Sequence, residues 1–236
     1  MTDELDLSQE WKWYYEERGK RVVSNLQKKN INAIFAVNKT EALASVLAMI
    51  PEGAKVVRGD SMSVDQVGVM EALKERNQNV IIDAFARDAD GRTVLKGKER
   101  RQAQKEAFHA DVFITGANAI TLDGKIVSTD AVGNRVAPVI FGPEKVILVV
   151  GANKIVTDLD AALRRIHEVA APLNAKRHAL KHHRPEFGQL PCVITGVCVD
   201  CNSEWRICRY TTIIEGSMAS EKGRINVVLV GEDLGI

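Results

Sequence analysis

No stretch of the 236-residue chain approaches the ~18 consecutive apolar residues that a membrane-spanning helix needs. The longest apolar run, Val146 to Val150, has the length of a buried strand. A dominant charge is missing too. The chain has 32 Lys and Arg against 31 Asp and Glu, a net of +1, so no overall field attracts nucleic acid or an anionic membrane, and neither partner is expected. The opening "MTDELDLSQEWKWYY" lacks the basic segment and apolar core of a secretory signal, which points to the cytosol. Cysteine is absent before position 192 and after position 208, and disulfides are rare in a reducing compartment.

What is present is enough for one large core. Hydrophobic residues make up 45% of the chain, and a single α/β domain of this length is ordinary. Residues 1–30 read as an N-terminal helix capped at Ser8 and stopped at Asn30. Its Trp11, Trp13, Tyr14 and Tyr15 suit either packing on its own domain or contact with another copy in a homo-oligomer. Residues 31–236 then alternate strand and helix: strand Ala33 to Val37, helix Thr40 to Ile50, strand Lys55 to Arg58. That βαβ unit implies an open, largely parallel sheet flanked by helices. A further helix is predicted from Ser63 to Arg76, with Ser63 and Gln66 as a capping box. Strands follow in "NVIIDAF", "DVFIT", "GKIVST", "KVILVVG", "TTIIE" and "INVVLVG". The long helix after Thr157 contains Pro172, which should kink or interrupt it.

Two stretches carry candidate binding groups. In "RGDSMSVDQ", Gly59 permits a turn after a strand, and Ser61 and Ser63 offer hydroxyls beside a helix N-terminus, where backbone N–H groups favour anions. The ordinary alternative is a well-capped βα loop. Between Thr115 and Val156, Asn118, Asp123, Asp130, Asn134, Arg135 and Lys154 fall at or beside glycine-punctuated turns. Asp123-Gly124 marks a hairpin. Asp130 and Arg135 suit an ion pair around the Gly133-Asn134 turn; alternatively Asn118, Asn134, Arg135 and Lys154 converge on a phosphate- or CoA-like anion.

The segment "GANAITLDGKIVSTDAVGNRVAPVIFGPEKVILVVGANKIV", with "AAPLNAKRH" and "CVITGVCVDCNSEWRICR", resembles the LUD-domain family of bacterial lactate-utilisation proteins, in particular stand-alone members with a C-terminal cysteine run. The resemblance implies a fold related to the ribose-5-phosphate isomerase and CoA-transferase (NagB-like) group. It also implies a small anionic metabolite as ligand and an iron–sulfur redox protein as partner. CoA transfer itself would need a nucleophilic glutamate, and Glu99, Glu106 and Glu144 lack any supporting motif.

Cys192, Cys198, Cys201 and Cys208 are spaced C-x5-C-x2-C-x6-C. Four reduced thiols this close suit an iron–sulfur cluster or a zinc ion, yet the spacing matches neither paired zinc knuckles nor ferredoxin runs. A redox pair at Cys198 and Cys201, or plain buried thiols on the strand-like "PCVIT" and "RICRY", are the other readings. His178 and His182 have the i, i+4 spacing of a metal pair, but Lys176, Arg177, Lys181 and Arg184 around them favour a solvated basic helix end. The reading that follows is a LUD-type protein serving lactate oxidation through an anion-binding loop and a thiolate centre. Its rivals are a non-catalytic regulatory or assembly protein with structural zinc, and a metal-free isomerase or transferase acting on a phosphorylated or CoA-linked molecule.

Overall fold

The computed structural model describes residues 4–236, so the first three positions of the N-terminal segment lie outside the described residues. With elements numbered in chain order, helix α1 (Ser8–Gln27) precedes β1 (Asn32–Ala36), α2 (Lys39–Ala48) and β2 (Lys55–Arg58). Next come α3 (Met62–Val67), α4 (Val69–Arg76), β3 (Val80–Ile82), α5 (Gly97–Lys105) and β4 (Val112–Thr115). Strands β5 (Ala119–Thr121) and β6 (Ile126–Asp130), helix α6 (Val136–Ile140), and strands β7 (Lys145–Gly151) and β8 (Ile155–Val156) follow. The chain ends with α7 (Leu159–Arg165), α8 (Ala171–Lys181), α9 (Pro191–Thr195), β9 (Tyr210–Ile214) and β10 (Ile225–Val230).

Six strands form an all-parallel sheet in the order β1-β10-β7-β4-β2-β3. Along β7, Val146, Leu148 and Val150 join one apolar cluster, and Ile147 and Val149 the other. Burial on both faces is why this strand is apolar throughout instead of alternating. Val22 and Leu26 bring α1 onto one face, while Val46 of α2 and Leu73 of α4 cover the other. Asn30, with φ 60, ends the α1 region as the sequence predicts. The amino-terminal half of α1 leaves Trp11 and Trp13 exposed, with Trp11 packed edge-on against Tyr14.

The structure corrects three local readings. The strands do not all share one sheet: β5, β6, β8 and β9 form a separate mixed sheet, ordered β8-β5-β6-β9. The tight Asp123-Gly124 turn makes β5 and β6 antiparallel, and such a hairpin has no crossover to place it in the parallel sheet. The helix read from Ser63 to Arg76 is two helices, because Gly68 takes the left-handed conformation (φ 80) between them. Its cap is Ser61, whose Oγ accepts from Val64 N–H at 3.4 Å; Ser63 lies inside the helix, and Gln66 instead accepts from Gly235 N–H at 2.6 Å. The long helix is interrupted beside Pro172, as the sequence predicts: a five-residue π turn, Ile166–Ala170, separates α7 from α8, which carries Pro172 in its first turn. The "PCVIT" segment is a short helix, its φ pre-set by Pro191 in the first turn.

Candidate functional site

The loops leaving the carboxyl ends of β2, β4 and β7 meet at one end of the parallel sheet, where open α/β folds hold their ligands. The small mixed sheet and α8 wall off a cavity of about 860 Å³ there. Ten Lys or Arg residues line it against three Asp or Glu, although the whole chain is almost neutral. The tertiary fold has gathered cations that the sequence scatters between Arg87 and Arg209.

Lys154 lies at the base, in the turn after β7, with 5% of its surface exposed. Its Nζ donates to Ser63 Oγ at 3.1 Å, and no carboxylate among the described residues is within ion-pairing distance. Burial, reinforced by the Arg165 and Arg135 guanidiniums, pushes its ammonium down to about 7. The backbone of Gly235 passes directly over this pair: a Cβ there would sit 2.9 Å from both Lys154 Nζ and Ser63 Oγ. A buried cation without an anion is costly, and the cost is recovered when a ligand brings the negative charge.

Beside it, the predicted Asp130–Arg135 pair is present. Arg135 Nε donates to Asp130 Oδ1 at 2.9 Å, and the N–H groups of Arg135 and Val136 both donate to Asp130 Oδ2 at 2.8 Å. Asn118 Oδ1 accepts from Thr129 N–H and from Arg135 Nη2, so Asn118 positions the arginine. Arg135 is therefore mostly engaged in bracketing the Gly133-Asn134 turn, and Nη1 is the part of its fork left towards the cavity that Asn134 also lines.

The opposite wall carries groups the sequence reading set aside. His178 and His182 do not form a solvated helix end; both are half-buried and line the cavity. His182 Nδ1 lies 3.2 Å from Arg87 Nη2 and 2.8 Å from His178 Nδ1. A guanidinium can only donate, so His182 Nδ1 is the acceptor, and His178 supplies the proton on its own Nδ1. That arrangement leaves His182 Nδ1 unprotonated. Burial and the neighbouring charges, Asp60 opposing for His178 and Arg87 adding for His182, leave the two rings pushed down to about 4 and about 3. Asp60, at the end of the β2 loop, pairs with Arg177 at 3.4 Å; burial pushes its carboxyl up, but Arg177 and Arg58 outweigh this and hold it below the usual range. The i, i+4 spacing of the two histidines was the sequence signal for this wall. Arg87, 95 residues from His182, gave none.

Of the other predicted residues, Ser61 lines the cavity, whereas Gly59 sits behind it against Thr115 and Phe113. Asp123 is not in the site: it closes the β5–β6 turn by accepting from Thr121 and Lys125. The four cysteines are reduced and half-buried, and together with His167 they surround a small void of about 20 Å³. Among the described residues no three ligating side chains are closed to coordinating geometry. Arg206, Ile207 and Cys208 border both this void and the large cavity.

The LUD domain model matches residues 19–230, and the chain belongs to the LUD-domain family. Its fold is similar to that of a DUF162 family protein from Deinococcus radiodurans, whose crystal structure was determined at 1.70 Å resolution. The match has a TM-score of 0.52 at 13% identity and covers 92% of this chain and 98% of the other. At that identity the likeness speaks to the fold alone. A comparison with curated proteins finds no match.

Proposed function

We propose that this chain binds an anionic metabolite in the basic cavity and serves the utilisation of a small organic acid such as L-lactate. The observation that carries this reading is Lys154, an ammonium buried to 5% exposure with a hydroxyl as its partner and no carboxylate beside it among the described residues. A carboxylate or phosphate placed against Lys154, Ser63 and the free edge of Arg135 would complete the charge balance there. The imidazoles of His178 and His182 face the same space and offer hydrogen bonds to a bound hydroxyl group. Family membership supports a role in lactate utilisation, in which an iron–sulfur protein would receive the electrons if the acid is oxidised in this cavity.

The volume favours a second form of the same reading. About 860 Å³ is ample for a drug-sized molecule and far more than a three-carbon acid fills. A phosphorylated or CoA-linked acid, its acid group at Lys154 and its phosphates along Arg87, Arg100 and Arg177, uses the space better. Such a ligand also suits the relation to ribose-5-phosphate isomerases and CoA-transferases that the family resemblance implies.

Isothermal titration of the full chain with L-lactate, pyruvate, 3-phosphoglycerate and CoA tests both forms. Binding tighter than about 1 mM by any of them, weakened at least tenfold in Lys154→Met, is the expected result. Lactate or pyruvate alone would select the first form, and phosphorylated or CoA ligands the second. No binding, or affinities untouched by Lys154→Met, would overturn the proposal.

A further inference from the structure

The segment from Gly196 to Arg209 is irregular throughout. Long structureless stretches in compact domains are uncommon and usually functional. Apolar burial does not hold this one: Val197 and Val199 are about 60% exposed, at 62% and 60%, and Trp205 is exposed as well. Its backbone makes few hydrogen bonds, Arg206 N–H to Ser203 O at 3.1 Å and Arg209 N–H to Asp130 O at 3.0 Å among them. Asp200 adopts φ 46, an uncommon conformation for a residue with a side chain. The segment nevertheless folds inward so that Cys198, Cys201 and Cys208 face Cys192 of α9 across one void.

Side-chain contacts around that void tie the segment to its neighbours, although the sulfurs are not drawn together to coordinating distances. Cys198 Sγ lies 3.5 Å from His167 Nδ1. Arg206 Nε donates to Cys208 Sγ at 3.2 Å, Nη1 donates to the Cys201 carbonyl at 2.7 Å, and Nη2 pairs with Asp200 at 2.9 Å. A guanidinium that holds the loop and also donates to sulfur is the outer-shell support a thiolate ligand set uses. The void, at about 20 Å³, has room for one water-sized sphere, and so for a single ion once the sulfurs turn towards it.

We propose that Cys192, Cys198, Cys201 and Cys208 bind one thiophilic metal centre, which staples the Gly196–Arg209 segment to α9 and sets the cavity wall formed by Arg206, Ile207 and Cys208. The thiols give up their protons to solvent as the sulfurs turn inward onto the metal. The void volume favours a zinc ion over an iron–sulfur cluster. A cluster draws on the same thiolate chemistry but requires the segment to open further.

The test is metal and acid-labile sulfide analysis of the full chain purified without oxygen, with hydrogen exchange before and after chelation. One zinc per chain, or iron with sulfide, supports the centre, the former as a single ion and the latter as a cluster. Chelation is expected to raise exchange across residues 196–209 while β7 and β10 stay protected. In Cys198→Ser/Cys201→Ser, affinity should fall by more than the roughly 10–100-fold that outer-shell changes cost. If that variant fails to fold, metal-free wild type is titrated with Zn²⁺ and with Co²⁺, whose thiolate complexes absorb visibly. Four free thiols that take up neither ion, with no metal in the purified protein, would sink the proposal. None of these readouts involves an anionic ligand, so this failure would be separable from failure of the cavity reading.

Discussion

Lys154 Nζ reaches Ser63 Oγ across 3.1 Å, joining the turn after β7 to the first turn of α3 over 91 residues of sequence. Both groups are buried, at 5% and 0% exposure, and the contact supplies a dipole where a cation needs an anion. Replacing the lysine by an apolar residue of similar length removes an uncompensated buried charge. Lys154→Met should therefore raise stability by about 1–3 kcal/mol while weakening anion binding at least tenfold. Chemical denaturation and titration on one preparation check both halves; a destabilised variant would show the lysine to be structural.

The same lysine gives the cavity a pH dependence. Its ammonium, pushed down to about 7, is charged below that pH and neutral above it. Affinity for an anion that binds only the charged form should fall about tenfold per pH unit above 7, and Lys154→Met should flatten the profile. In the unligated protein the sign is opposite. The unfolded chain keeps this proton up to about pH 10.4 and the folded chain loses it near 7, so this residue's contribution to stability rises with pH between those values. Melting temperatures across that range, wild type against Lys154→Met, measure the difference.

Acid should loosen the opposite wall. His178 and His182 are pushed down to about 4 and 3 when folded but take up protons near 6.5 when unfolded. The unfolded state binds more protons below pH 6.5, and stability falls as pH drops from there towards 4. The melting temperature should drop over this interval by more than the ~2–4 °C that one kcal/mol represents for a chain of this size. His178→Gln/His182→Gln should show a shallower slope; an unchanged slope would assign the acid lability elsewhere.

Arg58 is buried at the end of β2 and is held by Asp65 at 2.5 Å and Asp83 at 3.2 Å. Arg58→Met leaves the largely buried Asp83 without its counter-charge and should cost about 3–5 kcal/mol in denaturant unfolding. A loss under 1 kcal/mol would mean that Asp83 is satisfied by its other contact, the Phe85 N–H.

Gly59 follows it. A Cβ at that position would lie 2.7 Å from Thr115 Oγ1 and 2.9 Å from Phe113 Cζ, so β2 and β4 approach too closely there for a side chain. Gly59→Ala should destabilise by about 1–3 kcal/mol and shift Ser61 within the cavity, visible as a parallel loss of anion affinity.

Much of the fold was legible in the order of residues. Apolar runs such as Val146 to Val150 mark strands buried on both faces, and Asn30 and Asp123-Gly124 end or turn their elements as their side chains and backbones allow. The candidate site was legible in part. Ser61, Asn118, Arg135 and Lys154 stand out because turns cluster polar residues, and the fold does bring them to one end of the sheet. Asp123 carried the same turn signature but served only its hairpin. The basic residues around His178 and His182 favour a solvated end, yet both rings are partly buried in the cavity wall, where Arg87 from a distant loop meets His182.

By itself, then, the sequence determined the α/β class, the parallel strands and the confinement of all four thiols to one segment, since periodicity, turn chemistry and spacing are local properties of the chain. Only the tertiary structure decided that ten cations share one cavity, that Lys154 is buried without a carboxylate beside it among the described residues, and that two histidines are partly buried in the cavity wall. Charge balance and burial depend on which distant residues meet, and that is set by the crossing of strands, not by their order.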